Sequence, residues 1–156
     1  SRKFYGGWHN NLNYKNWNFS FLFEFVKQKG TDPRTVFFTP GSLSNMPIEV
    51  LDRWQENNPT GKYQAYTQNW DSGFYDYTSS DVNIVDASFI RMKSMSLNYQ
   101  LPTNILQNLK LQQAQVYLNA QNLFTLSSFK GYDPQHPDGI NLPALTSVHL
   151  GIKLTI

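Results

Sequence analysis

The sequence predicts an all-β, antiparallel fold. Three observations carry that reading. Apolar and polar residues alternate with a period of two through several runs. The connections between those runs alternate between very short and very long. Aromatic residues make up 15% of the 156 residues and charged residues only another 15%, against about 25% charged in ordinary soluble domains.

The clearest alternation lies in the last ten residues. Val148, Leu150, Ile152, Leu154 and Ile156 share one face; Ser147, His149, Gly151, Lys153 and Thr155 share the other. This is the pattern of a strand with one apolar face. A second run places Trp17, Phe19, Phe21, Phe23 and Phe25 together, opposite Asn18, Ser20 and Glu24, with Leu22 and Val26 as exceptions. Before it, Phe4, Trp8, Leu12 and Tyr14 face away from Tyr5, His9, Asn11 and Asn13. Lys15-Asn16 between these runs suits a tight hairpin. In a fourth run Met95, Leu97, Tyr99 and Leu101 alternate with polar residues, but Ile90 and Met92 have the opposite parity. A bulge near Lys93-Ser94 would explain the slip. In the fifth, Val116, Leu118, Ala120, Phe124 and Leu126 share a face with one intruder, Asn122.

The expected strands cover about 4–14, 17–27, 87–101, 112–126 and 147–156, with long loops over 28–86 and 127–146. One helix is expected near Asn45, Pro47, Ile48, Leu51 and Trp54, and a helical turn at Ile105–Leu109. A compact soluble domain seldom holds so long an irregular loop. Short turns at one end and long loops at the other is the layout of a transmembrane β-barrel. Roughly 9–11 tilted residues cross a bilayer as a strand. The aromatic face would meet lipid and the Asn, Gln, Ser and Lys face would meet water. If the last strand descends to the short-turn side, both short turns fall on that side and both long loops fall outside. Tyr and Trp favour the membrane boundary, where the ring is half buried and its polar edge stays wet. Trp8, Tyr14, Trp17 and Tyr99 are the candidates for that role.

Several stretches resemble one family. Asp86-Ala87-Ser88-Phe89-Ile90-Arg91-Met92-Lys93 is similar to its DASFLRLKN element, and a strand ending Tyr99-Gln100-Leu101-Pro102 follows. Asn119-Ala120-Gln121-Asn122-Leu123-Phe124-Thr125 is similar to GQNLFT, and Gly131-Tyr132-Asp133-Pro134-Gln135 to GYDPE. Lys3-Phe4-Tyr5-Gly6-Gly7 and Val50-Leu51-Asp52-Arg53-Trp54-Gln55 match as well. In this order they resemble the C-terminal end of SusC/RagA-type TonB-linked (TonB-dependent) outer-membrane transporters. The resemblance implies about five strands of a roughly 22-stranded barrel, with the plug domain absent from this stretch. It implies nutrient uptake, of oligosaccharide or peptide, across the outer membrane of a Gram-negative bacterium. It implies as partners the rest of the barrel and plug, a SusD-like surface lipoprotein, the TonB complex and outer-membrane lipid. The closing residues His149, Gly151, Leu154 and Ile156 resemble a barrel assembly signal, although the family more often ends in Phe. The start at Ser1-Arg2, without Met, is expected to reflect either a removed signal or a piece of a longer chain, and the resemblance implies the piece.

No catalytic constellation emerges, so the expectation is a transporter part and not an enzyme. No cofactor is implied. His9, His136 and His149 lack metal-like spacing. Asp71, Asp76, Asp81 and Asp86 recur every fifth residue, but a calcium loop needs alternate ligands and a central Gly. Without cysteine there is neither a disulfide framework nor a cysteine zinc site. Scattered basic residues and a formal charge of +2 give no nucleic-acid footprint. Within the first long loop, Tyr66, Trp70, Tyr75 and Tyr77 are candidates for contact with cargo or with the lipoprotein. The rival reading is a soluble carbohydrate-binding β-sandwich. It would need a second sheet to cover the apolar face.

Overall fold

A computed structural model describes residues 2–36, 39–69, 72–137 and 141–156. The chain forms two compact units. One comprises Ser1–Gln28, Ser88–Ser128 and Pro143–Ile156; the other comprises Lys29–Ala87 and Phe129–Leu142.

The first unit is an antiparallel sheet. Its strands are β1 (Arg2–Tyr14), β2 (Trp17–Thr31, which runs on into the second unit), β4 (Phe89–Gln100), β5 (Gln113–Ser127) and β6 (Ser147–Thr155), in the order β1-β2-β4-β5-β6. A short β3 (Ile84–Asp86) pairs with the Lys29–Thr31 end of β2. That pairing carries β2 past the residue where its aromatic alternation stops.

The hairpin between β1 and β2 closes on the pair Tyr14↔Trp17. Lys15 takes a left-handed φ of 51°, which a two-residue hairpin requires if the strands are to keep their twist. Asn16 Nδ2 donates to the Gln100 carbonyl at 2.9 Å. The Gln100 N–H donates to the Asn16 carbonyl, also at 2.9 Å. The turn is thereby stitched to the end of β4. At the same end β4 and β5 are joined through α3 (Thr103–Leu109), a helix longer than the single turn expected. Pro102 precedes it, and Lys110 ends it in a left-handed conformation (φ 55°). The Gln113↔Thr155 pair brings the end of β6 to this edge as well.

The parity slip in β4 is a bulge. Leu22 pairs with Ser94 and Phe23 with Met92, leaving Lys93 as the extra residue. Met92 and Met95 therefore share a face. Opposite it, β5 advances from Gln121 to Phe124 while β4 advances from Ser94 to Met92. Asn122 takes a φ of 51° there. Its Nδ2 donates to the Leu145 carbonyl at 3.2 Å, and its own carbonyl accepts from Thr146 Oγ1 at 2.7 Å. The intruder in the sequence pattern is thus a joint that ties β5 to the start of β6. Asn tolerates this conformation better than most residues.

The second unit holds α1 (Pro33–Val36), a 3-10 turn (Ile48–Asp52), α2 (Ser72–Ser79) and β3. The helix expected near Asn45 shortens to the 3-10 turn. The helix α2 was not expected, because Gly, Thr, Ser and aromatic residues are weak helix formers. Val50 and Ala87 are buried in this unit, together with Asp32, Asn83 and Asp133. Asn83 Nδ2 donates to the Thr78 carbonyl at 3.0 Å, and the Asp32 N–H donates to the Asn83 carbonyl at 2.8 Å.

Replacing Asn122 by Val should cost about 1–2 kcal/mol more than replacing it by Gly, the penalty of a left-handed backbone on a side chain with a Cβ. Denaturant unfolding of the full-length protein in detergent would measure the difference. Equal costs would remove the joint assigned to Asn122.

Candidate functional site

The sheet has two chemically different faces. On one, Tyr14, Leu12, Trp8 and Phe4 of β1 stand across from Trp17, Phe19, Phe23 and Lys27 of β2. Phe21 meets Met95, Val116 meets Ile152, and Leu118 meets Leu150. Many of these side chains stay open, with Phe4 59% exposed, Trp8 56%, Leu12 54% and Leu150 76%, while Phe19, Phe21, Phe23, Met95 and Leu118 are half-buried. Asn10, opposite Phe21, interrupts the apolar face. Trp17 and Tyr99 pack with ring centroids 4.5 Å apart at the hairpin end, beside Tyr14. Trp8 stands elsewhere. It lies further along β1, edge-on to Phe21 at 5.3 Å and stacked with Phe23 at 6.2 Å.

The other face is lined by amides and hydroxyls. Asn18 Nδ2 donates to Asn11 Oδ1 and to Asn13 Oδ1, both at 2.6 Å, and Asn98 Nδ2 donates to Asn18 Oδ1 at 3.2 Å. Lys93 Nζ lies 3.1 Å from Glu24 Oε2. Arg91 is buried; its Nε donates to Thr125 Oγ1 at 2.8 Å, and its guanidinium lies 5.2 Å from the Phe89 ring centre. Two open grooves, of about 370 and 390 Å³, follow this face. His149 borders the larger one.

Gly151 sits on the amide-bearing face opposite Tyr117. A Cβ there would come within 2.4 Å of the Tyr117 ring, so the glycine is the seat of that ring. An aromatic covering a strand glycine restores the packing that the glycine lacks. Leu154 pairs with Ala114 on the apolar face, and Ile156 follows β6, 89% exposed.

In the second unit Arg34 clasps Asp32. Arg34 Nη2 is 2.6 Å from Asp32 Oδ2 and Nε is 2.9 Å from Oδ1, while Glu49 Oε1 stands 3.6 Å from Nη1. Burial pushes the Asp32 carboxyl up, but the Arg34 hydrogen bonds and charge more than reverse this and hold it below its usual range. The same bonds to Asp32 hold Arg34 more firmly protonated. Burial pushes the nearby Tyr63 phenol up, so it stays neutral.

Beside Tyr63 lies a cavity of about 270 Å³, lined by Pro40, Lys62, Tyr63, Gln64, Phe74 and Tyr77. Gln64 Nε2 is buried and has no hydrogen-bond partner among the described residues. An unsatisfied buried donor costs roughly 1–3 kcal/mol. Of the aromatic candidates in this loop, Tyr77 lines the cavity. Tyr66 lies under the Arg53 guanidinium at 4.0 Å, and Tyr75 is edge-on to Phe74 at 6.1 Å. Trp70 and Asp71 lie outside the described residues. Asp76, Asp81 and Asp86 fall on α2, a separate 3-10 turn and β3. His136 Nδ1 is 3.6 Å from Asp133 Oδ2. Among the described residues no three metal-ligating side chains gather. The alternation pattern carried no sign of the Asp32–Arg34 clasp or of the cavity, since both join residues of irregular loop. The spacing Asp32-Pro33-Arg34 was the one local hint.

No family model matches the chain. TonB-dependent receptor P26 of Formosa agariphila is 31% identical over 135 residues, covering 83% of this chain and 13% of that receptor. TonB-dependent receptor SusC of Bacteroides thetaiotaomicron is 28% identical over 162 residues, covering 92% of this chain and 14% of SusC. The structure of the RagAB peptide importer in its open-open state superposes with a TM-score of 0.77 at 25% identity. That match covers 97% of this chain and 17% of the other. The chain belongs to the SusC/RagA-type TonB-dependent receptors. The superposition assigns its antiparallel sheet to the β-barrel architecture of those receptors.

The Asp32–Arg34 clasp has a pH signature. Folding lowers the Asp32 pKa, so its contribution is full above the ordinary carboxylate range and is lost as pH falls through the lowered folded value. Asp32→Asn should therefore destabilise the full-length protein at neutral pH and cost progressively less in acid. Unfolding of both proteins across pH would show it; a pH-independent difference would count against the clasp.

Proposed function

We propose that the chain supplies barrel wall and outer loops to a TonB-dependent nutrient importer of the outer membrane. The observation that carries this is the exposed apolar face. Aromatic and aliphatic side chains from five adjacent strands lie open on it, while amides and hydroxyls occupy the opposite face. Water would not tolerate so large a patch on a monomer; lipid favours it. A β-sandwich would instead bury that face under a second sheet.

On this reading the sheet is part of a multi-pass barrel of about 22 strands. Its open edges, β1 and β6, join the remainder of the same barrel, because unpaired edges are not tolerated in lipid. Tyr14, Trp17 and Tyr99 mark the periplasmic boundary. His149, Gly151, Leu154 and Ile156 serve in barrel assembly, with Gly151 seating Tyr117. The second unit lies outside and contacts cargo or a SusD-like lipoprotein, with Tyr66, Tyr75 and Tyr77 as contact residues. Cargo is an oligosaccharide or a peptide, and energy comes from TonB through the plug. The chain contributes passage and not catalysis.

Two experiments test this. Deleting the full-length gene should abolish growth on one class of oligosaccharide or peptide while leaving growth on monosaccharides and amino acids intact; unchanged growth on every oligomer would refute import. Phe21→Arg should destabilise the barrel by about 2–4 kcal/mol, as a cation near the membrane midplane does. A near-neutral unfolding energy in lipid would reverse the orientation of β2.

A further inference from the structure

We propose that Tyr14, Lys15 and Trp17 form a clasp for the phosphate of a phospholipid headgroup in the periplasmic leaflet. The inference rests on the barrel orientation proposed above and adds a lipid site to it. Lys15 holds the left-handed position of the β1–β2 hairpin. It borders the groove of the amide face, yet its ammonium lies 5.4 Å from the centre of the Tyr14 ring, which belongs to the apolar face. A cation–π contact of this kind holds an ammonium in place without neutralising it. Among the described residues no carboxylate pairs with Lys15. Glu24 is the only Asp or Glu side chain in the sequence of the strand unit, and it pairs with Lys93 at 3.1 Å. Lys110 at the end of α3 and Lys153 in β6 add positive charge at the same edge. An anion is the counterpart this edge lacks.

The neighbours say which anion. Tyr14 is 68% exposed and Trp17 46%, and the Tyr99 ring lies 4.5 Å from that of Trp17. Phenol and indole groups add hydrogen-bond donors beside the ammonium, and phosphate oxygens accept from all three. Beyond Trp17 the same face of β2 continues as Phe19, Phe21 and Phe23, successive ring centres 5.6 Å apart. A cationic, donor-rich end is thus joined to a continuous apolar stripe. A free phosphate would use only the end, and an acidic protein segment would leave the stripe uncovered. A phospholipid covers both, with its phosphate at Lys15 and an acyl chain along the phenylalanines.

The test uses the full-length protein in vesicles of phosphatidylethanolamine and phosphatidylglycerol. A trace of phosphatidylglycerol carries a photoreactive group, on the headgroup in one set and on the acyl chain in another. Cross-linked peptides are then located by mass spectrometry. Headgroup label should concentrate on the peptide bearing Tyr14–Trp17. Lys15→Asn should lower it about fivefold, the worth of one lysine at an anionic surface. Asn suits the left-handed turn, so the hairpin is kept. Lys15→Arg should retain the label. Lys153→Gln, on the opposite face, should leave it unchanged. Headgroup label spread evenly over the periplasmic turns, label indifferent to Lys15→Asn, or an equal loss with Lys153→Gln would each overturn the clasp. The acyl-chain probe separates the two levels. If it marks Phe19–Phe23 while the headgroup probe misses Lys15, the barrel reading stands and the clasp alone has failed; if it misses them as well, the placement of this face in lipid has failed.

Discussion

Pairing of backbone N–H and C=O groups between antiparallel neighbours governs the strand unit. Once the ladder is made, side chains must point alternately to opposite faces, and a polar or apolar identity at each position becomes an environment. The two-faced character of the sheet follows from this. So does the need for Lys93 to bulge: without it Ile90 and Met92 would stand among amides, and Arg91 would stand among phenylalanines. The bulge moves one backbone position and corrects every side chain upstream. Its counterpart at Asn122 lets β5 follow the bend, while the Asn122 side chain ties down the approach to β6.

The second unit rests on a different kind of interaction. Few apolar groups are buried among its described residues, where polar ones satisfy each other: Asp32 with Arg34, Asn83 with Thr78, and the Asp133 turn, where Oδ1 accepts from the Gln135 N–H at 3.0 Å. Such networks hold a loop in one arrangement because a half-satisfied version is costly. They also leave walls where polar groups can remain unpaired, as at Gln64.

This contrast explains what the sequence revealed. Strand faces were legible because period-two alternation reports one environment per face; Ser147 to Ile156 shows it without a break. The bulge was legible as a break in parity at Met92. Trp8 was harder to place, because residue type suggests a boundary but says nothing of height along the strand; its stacking on Phe21 and Phe23 does. The aromatic loop was visible as composition. Its arrangement was not, because Tyr66 under Arg53 and Tyr77 in the cavity wall depend on contacts with no fixed sequence period. The helix α2 ran against local propensity.

The amide lattice on the second face has a further consequence. On that face Glu24 is already paired with Lys93, and the groove near the hairpin end is lined mostly by Asn and Gln, with Lys15 and Lys153 beside them. Amides offer donors and acceptors at close, regular intervals, and no one of them binds much more tightly than the next. A hydroxyl-rich or peptide chain moving along such a wall exchanges one weak contact for an equivalent one at each step. On the import reading, the wall acts as a low-friction track: it wets the passenger without giving it anywhere to stop.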